Sequence, residues 1–110
     1  MRDGGGLGDF EQLVLLAILT LKDTARAAEI RARIESAADR RVSRGALYAT
    51  LDRLEAKGFL EWKLEEPIAS RGGIPRRRFL VTRPGLAALR RSWHAVRTLA
   101  RGLERLLGQA

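Results

Sequence analysis

Apolar and polar residues are distributed along the first part of the chain in a pattern that predicts two helices. Residues 13–19 are apolar without a break, so Asp9–Leu21 is predicted to be a helix that is apolar almost all round. A second helix is predicted over residues 25–37, after a turn at Lys22–Thr24. Its inward-facing candidates are Ala28, Ile30 and Ile34. Residues 39–42 form a loop that leads to a third helix, which gives a helix-turn-helix pair.

The third predicted helix has two contrasting faces. At 100° per residue, Leu47, Leu51 and Leu54 fall within one narrow apolar stripe that faces the core. Ser43 is a good N-cap because its hydroxyl can accept from a free backbone N–H of the first turn. Gly58 suits the left-handed residue that ends a helix. The opposite face can approach a groove closely, and it carries Arg44, Gly45, Tyr48, Ala49 and Asp52.

Two short strands and an arginine-rich loop are predicted to follow. Residues 59–65 and 78–82 have strand patterns, and the stretch between them contains two prolines and two adjacent glycines. Helix, strand, loop, strand is the order of a winged helix. The segment 71–78 contains no acidic residue, and its candidates for phosphate contact are Arg71, Gly72, Arg76, Arg77 and Arg78. The helix alone could be an ordinary amphipathic helix and the loop a solvated hairpin tip, but their succession favours DNA binding.

The C-terminal third predicts one long helix. Thr82 can cap it and Pro84 helps to start it. Apolar residues then recur at spacings of three and four, as in a heptad seam: Leu86, Leu89, Trp93, Val96, Ala100, Leu103 and Leu107. The seam could fold back along its own domain. Because the first helix is apolar almost all round, a two-fold dimer is favoured, in which the seam meets Leu13, Leu16 and the other C-terminal helix.

The length of the chain indicates one domain, and its charge distribution indicates a polyanionic partner. The 110 residues are divided into a flexible tail (1–8), a winged helix-turn-helix (9–82) and a dimerisation helix (83–110), so the fold class is mainly α with a small β wing. Of the net charge of +8, all the excess lies after Ser70, since residues 71–110 carry ten basic side chains and one acidic. Nucleic acid is favoured over membrane phosphates because the basic segments lack a free apolar face.

Other function classes find little support in the composition. The chain has no cysteine and one histidine, so no disulfide, metal site or cofactor is expected. Its four serines share that one possible base, and no paired carboxylates suggest a catalytic cleft, so an enzyme is not expected. The longest apolar run has seven residues and no signal-peptide pattern is present, so a cytoplasmic protein is expected.

Several motifs together resemble the PadR family of bacterial transcriptional regulators. They are LGDFEQLVLLAIL at residues 7–19, EI at 29–30, VSRGALYATLDRLEAKG at 42–58, RGG at 71–73 and TRPG at 82–85. The most specific part is Gly-x-Leu-Tyr followed by Leu-x-x-Leu-x-x-x-Gly. A single C-terminal helix is similar to the shorter branch of the family. Many members have a Tyr-Gly pair before the second helix, where this chain has ARAA at residues 25–28.

The resemblance implies a dimeric repressor that binds a palindromic operator and releases it when a phenolic or hydrophobic small molecule binds. By motif position, Tyr48 would meet the DNA backbone and residues 43–45 would enter the major groove. The arginines of segment 71–78 would form the basic wing. Trp93 is a candidate effector contact, although a tryptophan in a seam is more often simply core.

The residue types also suggest how a DNA sequence would be read. Arg44 can pair with guanine O6 and N7, with Ser43 and Ala49 as lesser contacts. Asp52 would accept from a cytosine amino group or orient an arginine. Arg40 and Arg41 are either phosphate contacts or solvated side chains. The alternative from another class is a protein-interaction or RNA-binding module whose basic wing binds an acidic partner, and the combined helix and wing argue against it.

Overall fold

Helices and one β-hairpin make up the computed structural model, which describes residues 6–66, 72 and 75–108. This arrangement confirms the predicted fold class of a mainly helical winged helix. The elements are α1 (Asp9–Leu21), a 3₁₀ turn (Lys22–Thr24), α2 (Ala27–Ala38), α3 (Arg44–Ala56), β1 (Leu60–Leu64), β2 (Arg77–Val81), α4 (Arg83–Ala100) and α5 (Glu104–Leu107).

The core lies where α1, α2 and α3 meet the inner face of the hairpin and the first half of α4. Val14, Leu15 and Ile30 have no exposed surface, and Leu47, Leu51 and Leu54 of the predicted α3 stripe are almost fully buried. Burying each such side chain contributes about 1.5–3 kcal/mol relative to leaving it exposed. The buried stripe therefore fixes the rotation of α3 and directs its other face outward.

Side-chain and glycine signals bound α3 and start α4 as predicted. Ser43 Oγ accepts from the Ala46 N–H at 3.0 Å, and Thr82 Oγ1 accepts from the Gly85 N–H at 3.1 Å. Gly58 has a φ of 79°, the left-handed conformation that a glycine adopts without strain. These three positions set where α3 begins, where the chain leaves it and where α4 begins.

The hairpin is antiparallel, and its register pairs Leu60 with Val81, Trp62 with Phe79 and Leu64 with Arg77. Directly opposite residues point to the same face, so these pairs share one side of the ribbon. Phe79 is buried, and its N–H donates to the Ala25 carbonyl at 2.8 Å. The hairpin is thereby attached to the start of α2.

The prediction of one continuous C-terminal helix is wrong. The α4 helix ends at Ala100, Arg101 leaves helical geometry with a ψ of 128°, and Gly102 has a φ of 87°. Glycine costs a helix interior about 1 kcal/mol relative to alanine, and the core does not reach this far to offset it. Leu103 and Leu107 of the predicted seam therefore lie beyond the break, at the start and the end of the short α5 segment.

Two smaller expectations also change. The second helix begins at Ala27, two residues later than predicted, and Ala28 is exposed and does not face the core. Residues 1–5 of the predicted tail lie outside the described residues. The Gly6 carbonyl accepts from Lys57 Nζ at 3.2 Å, and Leu7 packs against the core.

Candidate nucleic-acid interface

The outward face of α3 presents the residues expected to enter a DNA groove. Arg44, Gly45, Ala49 and Asp52 are exposed together, and Tyr48 beside them is half-buried. An added Cβ at Gly45 would meet no atom within 4 Å. Ser43 is exposed, but its hydroxyl already accepts the capping hydrogen bond. This face is therefore small and polar at the first turn of the helix.

The turn before α3 is held by two side chains from α2. Glu35 Oε2 accepts from the Val42 N–H at 2.8 Å. Arg31 Nε donates to the Val42 carbonyl at 2.7 Å. Asp39 ends α2 in the left-handed conformation, with φ 50° and ψ 51°. Sequence patterns give no signal for this arrangement, because it joins residues seven and eleven positions apart across a turn.

The Arg77 guanidinium lies among three aromatic rings. Its central carbon is 5.8 Å from the ring centre of Tyr48, 5.1 Å from that of Trp62 and 5.3 Å from that of Phe79. Cation–π contacts at these distances contribute about 0.5–1 kcal/mol at exposed sites. Arg77 therefore connects the hairpin to the outward face of α3, a role in addition to the phosphate contact expected from the sequence.

The Arg78 side chain faces two acidic groups, one in the 3₁₀ turn and one directly after β1. It forms ion pairs with Asp23 at 3.6 Å and Glu65 at 4.0 Å. Glu65 also accepts from Arg26 Nε at 2.6 Å and Arg26 Nη2 at 3.1 Å. The Arg26 hydrogen bond lowers the pKa of Glu65, and the same contact raises the pKa of Arg26. The structure thus gives Arg78 intramolecular partners at a position predicted to face DNA.

The rest of the predicted wing is only partly described. Arg71 lies outside the described residues, whereas Gly72 is exposed with a φ of 75°. Arg76 lines a hollow of about 280 Å³ between α2, α3 and β2, which Tyr48 and Glu29 also line. Arg76 is therefore on the same side of the molecule as Tyr48.

The far end of α3 is fixed by a buried carboxylate. Glu11 is 4% exposed; its carboxylate accepts from Lys57 Nζ at 2.9 Å and from Arg53 Nε at 3.1 Å. The Gly8 N–H also donates to it, at 2.7 Å. Burial raises the pKa of Glu11, but the hydrogen bonds from Gly8, Lys57 and Arg53 outweigh it, and the pKa is lowered overall. This ion cluster joins α1 to the end of α3.

A second surface of the molecule is apolar. Several large side chains of α1, of α4 and of the segment that follows α4 are exposed in the single chain: Leu16, Leu19, Trp93, Val96, Leu99, Leu103, Leu106 and Leu107. Among the other residues predicted for the dimer interface, Leu13 and Leu86 are half-buried, as is Ala100. Leu89 is buried in the core of its own chain. Exposed apolar patches of this kind usually mark interaction sites.

Trp93 lies within this apolar surface and is 58% exposed. The Arg97 guanidinium is 6.0 Å from its ring centre. A separate hollow of about 200 Å³ between α1 and α2 is lined mainly by apolar residues, among them Ile34 and the exposed Leu16. Trp93 is thus accessible in the single chain rather than buried as core.

Within residues 6–66, 72 and 75–108, no cluster of three or more His, Cys, Asp or Glu side chains could hold a metal ion. No helix in those ranges has the length and apolar character needed to cross a membrane.

A family model described as "Transcriptional regulator PadR-like family" matches residues 15–91. The chain belongs to this family. The matched PadR-like region runs from within α1 to within α4, so it contains the helix-turn-helix and the hairpin. A search of curated protein sequences finds no significant match.

Solved structures of PadR proteins share this fold. A PadR-like transcription factor from Bacteroides fragilis is 26% identical with a TM-score of 0.68, and 88% of each chain is covered. A PadR family transcription regulator from Clostridium difficile R20291 is 23% identical with a TM-score of 0.69, covering 90% of this chain and 99% of that one. One from Eggerthella lenta DSM 2243 is 24% identical with a TM-score of 0.65, covering 90% and 84%.

Proposed function

We propose that this PadR-like protein is a cytoplasmic, sequence-specific regulator that binds double-stranded DNA as a homodimer and represses transcription from a palindromic operator. The observation that carries the proposal is the exposed first turn of α3, where Arg44 and Gly45 follow a capped helix start and the arginine-bearing hairpin lies alongside. The net charge of +8 suits a phosphate-rich partner.

In this proposal, contacts to DNA bases and contacts to the DNA backbone have different functions. Arg44 reads guanine in the major groove, and Ser43, Ala49 and Asp52 contribute lesser base contacts. Tyr48 and the hairpin arginines Arg71, Arg76, Arg77 and Arg78, with Gly72 at the tip, contact the backbone. Backbone contacts provide affinity that falls with salt, whereas base contacts provide the sequence preference.

The exposed apolar surface supports a homodimer. Leu99 and Leu106 are 80% and 82% exposed in the single chain, which is unfavourable for leucine unless another surface covers it. A second copy offers the same self-complementary patch through a two-fold axis. Two α3 helices related in this way would read half-sites about one helical turn apart, or a multiple of it.

An effector that relieves repression would act at this second surface. Trp93 presents an aromatic face that can stack on a flat phenolic or hydrophobic molecule. A ligand held there between two copies would have a higher affinity for protomer arrangements that do not fit DNA than for those that do. Such a difference in affinity is what release of an operator requires. The proposal includes no catalytic step.

Selection of binding sequences from a random duplex pool at near-physiological salt tests the proposal, with the protein's mass measured in the same buffer. Enrichment of an inverted repeat by a dimer is the expected result. Binding without an enriched sequence would reduce the interaction to charge attraction and favour the alternative, a winged helix that binds RNA or an acidic protein. Addition of phenolic compounds to the selected complex tests the effector.

A further inference from the structure

Arg31 on α2 makes a contact that fixes the backbone directly before α3. Its Nε donates to the Val42 carbonyl at 2.7 Å, while Glu35 Oε2 accepts from the Val42 N–H at 2.8 Å. The backbone N–H and the carbonyl of Val42 are therefore both hydrogen-bonded to side chains of α2. The Val42 side chain is itself 3% exposed, so the residue is fixed from both its backbone and its side chain.

The position of Val42 determines how α3 leaves the turn. Ser43, the N-cap, follows Val42 directly, and Arg44 is the first residue of α3. A change in the Val42 backbone is therefore transmitted to the residues proposed to read bases. A displacement of about 1 Å is enough to lose the alignment of hydrogen bonds to base edges.

The Arg31 side chain still has N–H donors that can bind a group outside the protein. A guanidinium carries five N–H donors, and four of them are on the two Nη atoms. In the described part of the chain, Nε is the Arg31 atom that hydrogen-bonds to protein, and the side chain is 40% exposed. Its outer nitrogens are thus available for a ligand.

Arg31 borders two hollows that flank the start of α3. One, of about 300 Å³, is also lined by Arg44 and Tyr48. The other, of about 810 Å³, is lined by Arg40 and Arg41 and by the acidic Glu35 and Asp39. The Glu35 carboxylate in the second hollow is engaged by the Val42 N–H and lies 3.9 Å from Arg31 Nε. The first hollow has basic and phenolic groups but no acidic one, so it suits a phosphate.

We propose that Arg31 has two separate functions: its Nε positions the recognition helix through Val42, and its Nη groups contact a DNA backbone phosphate beside Arg44 and Tyr48. This inference rests on the proposed function, since it requires a bound duplex. A planar guanidinium can do both because its inner and outer nitrogens point in different directions. Backbone contact and helix position are then linked through one side chain.

Two substitutions separate these functions. The amide nitrogen of glutamine is the same number of bonds from Cα as Nε of arginine, so Arg31→Gln keeps a donor for the Val42 carbonyl and removes the charge and the Nη groups. Arg31→Met has a stem of similar length and removes the donor as well. Both variants are measured as full chains on the selected duplex and on a scrambled duplex across a range of salt concentrations.

Arg31→Gln is expected to reduce the slope of log affinity against log salt by about 0.9 for each protomer bound, with an unchanged preference for the selected duplex. Arg31→Met is expected to show the same reduced slope and, in addition, to lose about tenfold in the ratio of selected to scrambled affinity. An unchanged slope in Arg31→Gln overturns the phosphate contact. Equal ratios in the two variants overturn the positioning function.

Controls keep these outcomes separate from a failure of the proposed function. If the unmodified protein itself shows no sequence preference, the proposed function fails and this inference fails with it. If Arg31→Met does not fold, positioning is tested from the other side of Val42. There, Glu35→Gln retains an acceptor for the Val42 N–H and is expected to keep the preference, whereas Glu35→Met is expected to reduce it. An equal preference in those two variants overturns positioning.

Discussion

Gly85, in the first turn of α4, occupies a position where a larger residue does not fit. A Cβ atom there would lie 2.1 Å from the Phe59 carbonyl oxygen and 3.0 Å from Val81 Cγ1. Non-bonded heavy atoms of these types need about 3.5 Å. Gly85→Ala therefore has to move the start of α4 by about 1 Å or more.

The loss in the free energy of unfolding caused by this displacement follows from the hydrogen bonds around Gly85. The Thr82 N–H donates to the Phe59 carbonyl at 3.1 Å, and Thr82 Oγ1 donates to the Gly58 carbonyl at 2.6 Å. Loss of each costs about 1 kcal/mol, and overpacking adds about 1–3 kcal/mol. Alanine offsets about 0.5–1 kcal/mol through its higher helix propensity. We expect a net loss of about 2–4 kcal/mol in the free energy of unfolding.

Urea denaturation followed by circular dichroism measures this loss, with all proteins at one concentration because association changes apparent stability. Gly45→Ala is the matched control, because it makes the same change in a helix where the added Cβ meets nothing within 4 Å. It is expected to raise the free energy of unfolding by up to about 1 kcal/mol. Equal stabilities of the two variants would refute the packing argument.

Three further predictions concern the interface, the ion cluster and the apolar surface. Gly45→Ala is expected to weaken duplex binding severalfold, measured by fluorescence anisotropy, although it stabilises the fold; unchanged affinity would mean that DNA does not approach this turn closely. Because the pKa of Glu11 is lowered from 4.5, its stabilisation is complete above that pH and is lost as pH falls. In urea titrations, Glu11→Gln should be less stable by about 2 kcal/mol at neutral pH and should lose less stability on acidification; parallel curves would contradict this. In sedimentation velocity, Val96→Glu should give a monomer while Thr98→Glu, on the same helix, remains a dimer, and a dimeric Val96→Glu would exclude this surface.

Local signals in the sequence were sufficient to predict most of the fold. The Ser43 and Thr82 caps, the left-handed Gly58 and the leucine stripe of α3 each depend on residues close together in the chain, and the structure confirms them. The order of helix and strands then gives the winged helix. The outward face of α3 follows from the buried face by geometry alone.

Features that depend on distant residues were not predictable in this way. The sequence identifies Arg77 as a basic residue suited to a phosphate contact. Only the folded hairpin shows that its guanidinium lies close to the rings of Trp62 and Phe79. The heptad spacing continues past Ala100, but spacing does not reveal that the core ends before Gly102. Periodicity describes which face a helix would bury, and it carries no information on whether a surface is present to cover that face.

The α3 helix is restrained at both ends and at one point between them. Before its first turn, the Val42 backbone is fixed by side chains of α2. In its second turn, Tyr48 contacts Arg77, and after its last residue Lys57 is bound by Glu11. A helix restrained at three places loses little conformational freedom on binding, so more of the contact energy with DNA remains as affinity. These restraints differ in their distance from the proposed DNA face. Loss of the Glu11 contact should therefore act through the folded fraction, whereas loss of the Val42 contact should act on sequence preference within the folded protein.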